Sequence, residues 1–225
     1  MDYQQIDDFL AFVDRDIASA VAELKNVAER SRKHLQKLVY TNVVNRFDSS
    51  VDHLLLDNSL EEPMLSEMLE KLDAPLSEGK VLRLISMSEK DATGYMRERA
   101  HDVLRNGILR ERHSKKLRKL FEVFSPSEDC NQPRVNPSTG SITAKFKPQI
   151  KTIPCSIPGY ADWLYCRRNA VVHGGGSAKM LSNDITQVQK LYHCKLAANV
   201  KIKIGSITSA MRFYREALAM LKAES

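Results

Sequence analysis

Residues 35–55 read LQKLVYTNVVNRFDSSVDHLL, and the spacing of their apolar side chains is the clearest indication of secondary structure in the chain. These side chains recur every four residues, and neither glycine nor proline interrupts the stretch. Such a repeat places them on one face of an α-helix, whereas a half-buried strand would alternate apolar and polar residues. The stretch predicts a long helix with one buried stripe, formed by Leu35, Val39, Val43, Phe47, Val51 and Leu55.

Helical periodicity continues on both sides of this stretch. A first long helix is predicted from Ile6 to Ala28, with its apolar residues again three or four apart. After a break at 58–63, which contains Pro63, shorter helices are predicted at 64–72, 80–88, 91–105 and 111–124. Further helices are predicted at 159–173, at 183–192 and from 206 onward, with a short extended segment at 200–204. The fold class is therefore all-α.

A proline-rich stretch at 125–158 separates the early helices from the late ones. It predicts a long loop or insertion, because proline removes a backbone donor and ends regular structure. Residues 141–147 alternate weakly between apolar and polar side chains, which predicts a small hairpin inside the insertion. We find no internal repeat, and we expect residues 1–225 to form a single domain.

Composition limits the function classes. The net charge of +6 favours a polyanionic partner such as RNA, although solubility alone also explains it. The polar start of the chain and the absence of an apolar run of roughly 20 residues predict a cytoplasmic protein without a membrane partner. Its four cysteines are widely spaced, and its histidines lack ligand spacing, so we expect free thiols and neither a metal nor a cofactor.

The segment most informative about chemistry is 161–174, ADWLYCRRNAVVHG, whose polar residues gather at a glycine-stopped helix end. Asn169 and His173 are four residues apart and share a face, while Arg168 lies roughly 140° round the helix from His173. Imidazole exchanges protons efficiently near neutral pH, so His173 could take the proton of an RNA 2′-hydroxyl. Arg168 could curl round the helix end and stabilise the charge on the phosphate oxygens.

This segment resembles the motif of the HEPN superfamily, an arginine followed by a polar residue, three further residues and a histidine near a helix end. Arg168, Asn169 and His173 match it directly. The order of helices, two long ones first and the motif on a late one, is similar as well. The resemblance implies a HEPN-like helical bundle and a metal-independent endoribonuclease, acting as a homodimer with its two motifs across a twofold cleft. Many such proteins are toxins or phage-defence effectors, and many relatives are not catalytic.

Other charged residues are candidates for supporting roles. Asn45, Asp48 and Asp52 lie beside the buried stripe of the second helix, where a carboxylate could orient Arg168 or His173, although acids that simply face solvent are the more common case. A basic run on the helix at 111–124 could bind the phosphate backbone or could form a solvated helix face. The RNA-binding candidates are Arg167, Lys115, Lys116, Arg118 and Lys119.

Several alternatives compete with the nuclease interpretation. Arg168 and His173 could be a surface pair, with His173 favouring the negative end of the helix dipole. The run His173-Gly174-Gly175-Gly176 is similar to an esterase oxyanion segment, but no Gly-x-Ser-x-Gly elbow is present, and no phosphate-binding Gly-Lys-Ser/Thr ending follows the glycines. A non-catalytic module that binds RNA, a nucleotide or a protein partner such as an antitoxin stays open.

Overall fold

The computed structural model describes residues 2–62, 64–70, 76–143, 153–174, 182–195 and 200–223. Its described part is all-α and contains no β-strand. The helices are α1 Gln4–Ala11, α2 Ala18–Glu23, α3 Glu29–Asp57, α4 Met64–Glu70, α5 Glu78–Ile85, α6 Glu89–Asn106, α7 His113–Phe124, α8 Ile157–Gly174, α9 Ser182–Tyr192 and α10 Ile204–Ala223. None of the described helices is long and apolar enough to span a membrane.

The central element is α3, which packs against α1, α7, α8 and α10. Its predicted stripe is buried from Val43 onward, whereas Leu35 near the start of the helix remains 37% exposed. Phe47 stacks on Tyr214 of α10 with the ring centroids 3.9 Å apart. Two turns nearer the N-terminus of α3, the Tyr40 hydroxyl donates a 2.9 Å hydrogen bond to the carbonyl oxygen of Leu164 in α8. Tyr40 and Phe47 are seven residues apart, about two helical turns on the same side of α3, so α3 contacts α8 and α10 at successive positions along its length.

The first predicted helix is interrupted and ends early. A π-helical turn, Phe12–Ile17, joins α1 to α2 and keeps Val13 and Ile17 buried. The helix then ends at Glu23, and a turn leads into α3. The prediction that one helix runs to Ala28 was wrong, because Ala28 adopts a non-helical conformation with ψ of 144° as the N-cap of α3.

The proline-rich stretch is non-helical over 125–143, as predicted, but contains only isolated bridges, Pro133 with Ser156 and Val135 with Ile142. The second bridge closes a turn around Gly140. Residues 144–147 of the predicted hairpin lie outside the described residues. The extended segment predicted at 200–204 is likewise not a strand: Val200 and Ile202 are buried, and Ile204 already begins α10.

Candidate functional site

The motif occupies the last turns of α8, and the rest of that helix anchors it. Tyr160, Ala161, Leu164 and Ala170 are buried against the core, while Arg168 and Asn169 are half-buried and His173 is exposed. Pro158 lies in the first turn, where its missing N–H leaves no intrahelical hydrogen bond unmade. The polar end of α8 therefore projects from a fixed helix.

Arg168 is held from two sides. Its Nε donates to Asn45 Oδ1 of α3 at 2.5 Å, and its Nη1 donates to Asn169 Oδ1 at 2.8 Å. The guanidinium lies over the ring of Tyr165, with Cζ 5.5 Å from the ring centroid. Within the described part of the chain, Nη2 makes no hydrogen bond. One edge of the guanidinium is thus available to an anion, and the fork geometry suits a phosphate.

Asn169 connects this arginine to α9. Its Nδ2 donates to Asp184 Oδ2 at 3.3 Å, while its Oδ1 accepts from Arg168. A carboxylate can only accept and a guanidinium can only donate, so the two neighbours determine which way the amide faces. Asp184 was not among the residues singled out from the sequence. It lies in the first turn of α9, and no local pattern reveals that α9 packs back onto α8.

His173 lies at the C-terminal end of α8, and its side chain is exposed. It makes no hydrogen bond within the described part of the chain, and none joins it to Arg168. The side chain of Arg168 is directed back over Tyr165. It does not curl round the helix end toward His173, which is what the sequence led us to expect. The Cα–Cβ bonds of a helix tilt toward its N-terminus, which favours this direction. Within one chain, the two side chains therefore face different neighbours.

Asp48 and Asp52 form neither a hydrogen bond nor an ion pair with Arg168 or His173 in the described part of the chain, so the direct contact that was expected is not made. Asp48 Oδ1 lies 2.8 Å from His113 Nδ1 and 3.4 Å from Lys116 Nζ, and Asp52 Oδ1 lies 2.7 Å from Lys116 Nζ. Both partners belong to α7. The face of α3 that carries these acids is covered by α7. The spacing of residues on α3 does not reveal which helix packs against that face.

The acids and bases of this cluster change one another's ionisation. Burial opposes the charge of Asp48, but the hydrogen bond from His113 and the charge of Lys116 outweigh it and lower the pKa of Asp48. For Asp52, burial is the largest influence, and its pKa is raised. Burial also disfavours the charged form of Lys116, yet its two carboxylate partners raise its pKa. His113 stacks on the ring of Tyr165, 5.3 Å between centroids, so the cluster supports the ring under Arg168.

The basic residues of α7 that were proposed to contact RNA differ in how exposed their side chains are. Lys116 is only 6% exposed and ion-paired, so its assignment to an RNA-binding surface was wrong. Lys115 is exposed and pairs with Glu111 at 2.8 Å. Arg118 and Lys119 are half-buried, with Lys119 lying 3.6 Å from Glu122. The helix α7 is amphipathic, and part of its basic run faces the core because the core stripe passes through the same turns.

Arg167, another residue predicted to contact RNA, is half-buried and contacts the segment that leads into α10. Its Nη2 donates to the carbonyl oxygen of Lys201 at 2.8 Å and to Ser206 Oγ at 3.2 Å. The guanidinium carbon Cζ lies 4.5 Å from the ring centroid of Trp163 and 5.4 Å from that of Tyr40. These contacts tie α8 to the start of α10.

Among the described residues, no group of three histidine, cysteine, aspartate or glutamate side chains is arranged to hold a metal ion. The four cysteines are buried free thiols, as predicted. No protein-family model matches the chain, and neither the curated proteins nor the solved structures include a match.

Proposed function

We propose that this chain is a metal-independent endoribonuclease of the HEPN type. The observation that carries the proposal is an arginine oriented by Asn45 and Asn169, with its Nη2 edge available, on the same helix end as the exposed His173. An oriented guanidinium can stabilise charge that develops on phosphate oxygens, and an exposed imidazole can move a proton. The helical order and the all-α fold agree with the resemblance to that family.

The reaction is a transesterification within the RNA. The imidazole of His173 takes the proton of the 2′-hydroxyl, and the 2′-oxygen forms a bond to the adjacent phosphorus. The bond from phosphorus to the 5′-oxygen breaks, and that oxygen leaves with a proton from a second imidazole. Arg168 Nη2 donates to a non-bridging phosphate oxygen. The products are a 2′,3′-cyclic phosphate and a 5′-hydroxyl.

A homodimer supplies the groups that one chain lacks. Each chain offers one His173, and its Arg168 faces back along α8 toward Tyr165. Two motifs related by a twofold axis bring a second imidazole to the same phosphodiester, one as base and one as acid. Within this proposal, the chain acts as a toxin or phage-defence effector, and an antitoxin is its protein partner.

The chemistry is tested by incubating purified protein with RNA in excess chelator and analysing the ends of the fragments. We expect cleavage that leaves 2′,3′-cyclic phosphate and 5′-hydroxyl ends. An oligonucleotide with 2′-deoxyribose at the mapped cleavage position serves as the matched substrate control and should stay intact. Cleavage of the deoxy substrate, or loss of cleavage on chelation, would contradict the mechanism.

A second candidate is a module that binds RNA without cutting it. The observation that favours it is the separation of Arg168 and His173, which share no hydrogen bond in the described chain. Under this candidate, no cleavage is observed at any protein concentration, while Arg168→Ala still weakens association with RNA. A gel-shift titration run beside the cleavage assay distinguishes the two functions.

A further inference from the structure

A cavity of about 380 Å³ opens between α4, α5 and α6, away from the motif on α8. We call it the α4–α6 cavity. Its walls are mainly apolar and include Leu69 of α4, Leu84 of α5 and Met96 of α6, with Leu76 just before α5. Leu69, Leu76 and Met96 are 54%, 45% and 45% exposed. These side chains keep apolar area in contact with water, which an apolar ligand would remove.

The short helix α5 increases this exposed area. It has a marked apolar side, yet none of its residues is buried, and Leu82 and Ile85 are 67% and 76% exposed. Soluble proteins seldom keep large contiguous apolar patches without a binding role. The apolar walls alone do not say what binds there.

Arg99 supplies that information. It lies in the wall of the cavity beside Tyr95 and is half-buried. No carboxylate pairs with it among the residues that the structure describes. Arginine keeps its charge, and partial burial beside apolar side chains weakens its hydration. An incoming carboxylate would accept two parallel hydrogen bonds from the guanidinium fork.

We propose that the α4–α6 cavity binds an apolar monocarboxylate, a molecule of fatty-acid type. Its hydrocarbon chain lies along the leucine and methionine walls, and its carboxylate pairs with Arg99. The volume falls in the range of roughly 300–1,000 Å³ that small-molecule sites occupy. Arg99 is the one cation among the described residues that line the cavity, and it matches one carboxylate. This site is independent of the nuclease proposal, because none of its residues contacts Arg168 or His173.

The test is a calorimetric titration of the full chain with dodecanoate below its micelle concentration. We expect saturable binding of one molecule per chain. Arg99→Met, which keeps the apolar stem, should weaken binding about tenfold, the equivalent of one lost charge-assisted interaction. Arg97→Met is the matched control, since Arg97 lies on the same helix, is exposed and does not line the cavity. The Arg97→Met protein should bind dodecanoate with the affinity of the unchanged protein.

Dodecanol separates loss of the charge from loss of the fold. It should bind the unchanged protein and Arg99→Met with equal affinity, because it offers no carboxylate. Equal dodecanoate affinity in the Arg99→Met and Arg97→Met proteins would overturn the proposal, as would the absence of saturable binding. Sedimentation identifies another occupant: self-association that Leu69→Lys abolishes, without dodecanoate binding, would assign the face to a second copy of the chain and overturn the proposal. The nuclease assay should be unaffected by Arg99→Met.

Discussion

At the scale of single residues, the arrangement of Arg168 depends on a chain of polar contacts. Asp184 accepts from Asn169, and Asn169 accepts from Arg168, so the carboxylate of α9 acts on the guanidinium of α8 through one amide. Asn45 holds the other side of the same arginine. Removing the Asp184 carboxylate leaves the Asn169 amide free to rotate and does not change Arg168 itself. Asp184 is therefore a positioning residue in the proposed site.

Asp184→Ala should lower the kcat of RNA cleavage by roughly tenfold with a smaller change in KM. Asp184 does not touch the RNA in this proposal, so its loss affects the orientation of Arg168 more than it affects substrate binding. Asp184→Asn should retain most of the activity, since its amide oxygen still accepts from Asn169. Single-turnover kinetics on the two variants measure the difference. Equal losses in both variants would show that negative charge, not orientation, is what Asp184 supplies.

The ion-paired Asp48 should make the free energy of unfolding depend on pH. The pKa of Asp48 is lowered in the folded chain, so its contribution is complete above its unfolded-state pKa of roughly 3.9 and is lost as the pH falls through the folded value. Asp48→Asn should therefore destabilise the protein by about 1–3 kcal/mol at neutral pH. The difference from the unchanged protein should shrink below about pH 4, as measured by denaturant unfolding across pH.

The control for this variant is Asp14→Asn. Asp14 pairs with Arg215, and both side chains are about half exposed, at 57% and 44%. An exposed ion pair contributes about 1 kcal/mol or less. An Asp48→Asn protein no less stable than Asp14→Asn at neutral pH would contradict the stabilising role of the cluster around Lys116.

At the scale of elements, periodicity predicted helices well where one face is buried. The stripe from Val43 to Leu55 specified α3, and the run ending at His173 specified α8. It could not specify which helix covers which face. Asp48 and Asp52 meet α7 instead of the motif, and Lys116 faces them instead of solvent, because pairing between helices depends on side chains far apart in the chain.

The same limit applies to the site. Arg168, Asn169 and His173 were recognisable because they lie within six consecutive residues. Asn45 lies 123 residues from Arg168, and Asp184 lies beyond the glycine run. Their contacts arise only when α3 and α9 pack on α8. Local spacing thus predicts the reactive groups, and tertiary packing determines which neighbours orient them.

The loop at 125–143 packs closely against the backbone of α10 at Gly140. This glycine has a φ of +73°, and a Cβ added there would lie 1.9 Å from the carbonyl oxygen of Ser209. Gly140→Ala should therefore lower the free energy of unfolding by more than about 1 kcal/mol. Gly94→Ala in α6 is the matched control: a Cβ there meets nothing within 4 Å, and the change should stabilise the helix by roughly 0.5–1 kcal/mol. Thermal unfolding of both variants measures the contrast.

At the scale of the whole molecule, the described chain presents two regions with different properties. Around α3, side chains from α1, α7, α8 and α10 form a continuous core that fixes the polar end of α8. Around α5, apolar side chains stay exposed and enclose the α4–α6 cavity. We therefore expect the proposed nuclease site to act from a rigid support and the proposed ligand to bind on a surface that folding alone does not cover.

The role of His173 is tested by comparing RNA cleavage by His173→Ala and His34→Ala in the presence of chelator. His34 is the matched control because it is an exposed histidine on α3. We expect His34→Ala to cleave at the rate of the unchanged protein and His173→Ala to lose at least about a hundredfold, the scale of general acid–base catalysis. Cleavage by His173→Ala at the rate of His34→Ala would show that His173 is not the catalytic imidazole.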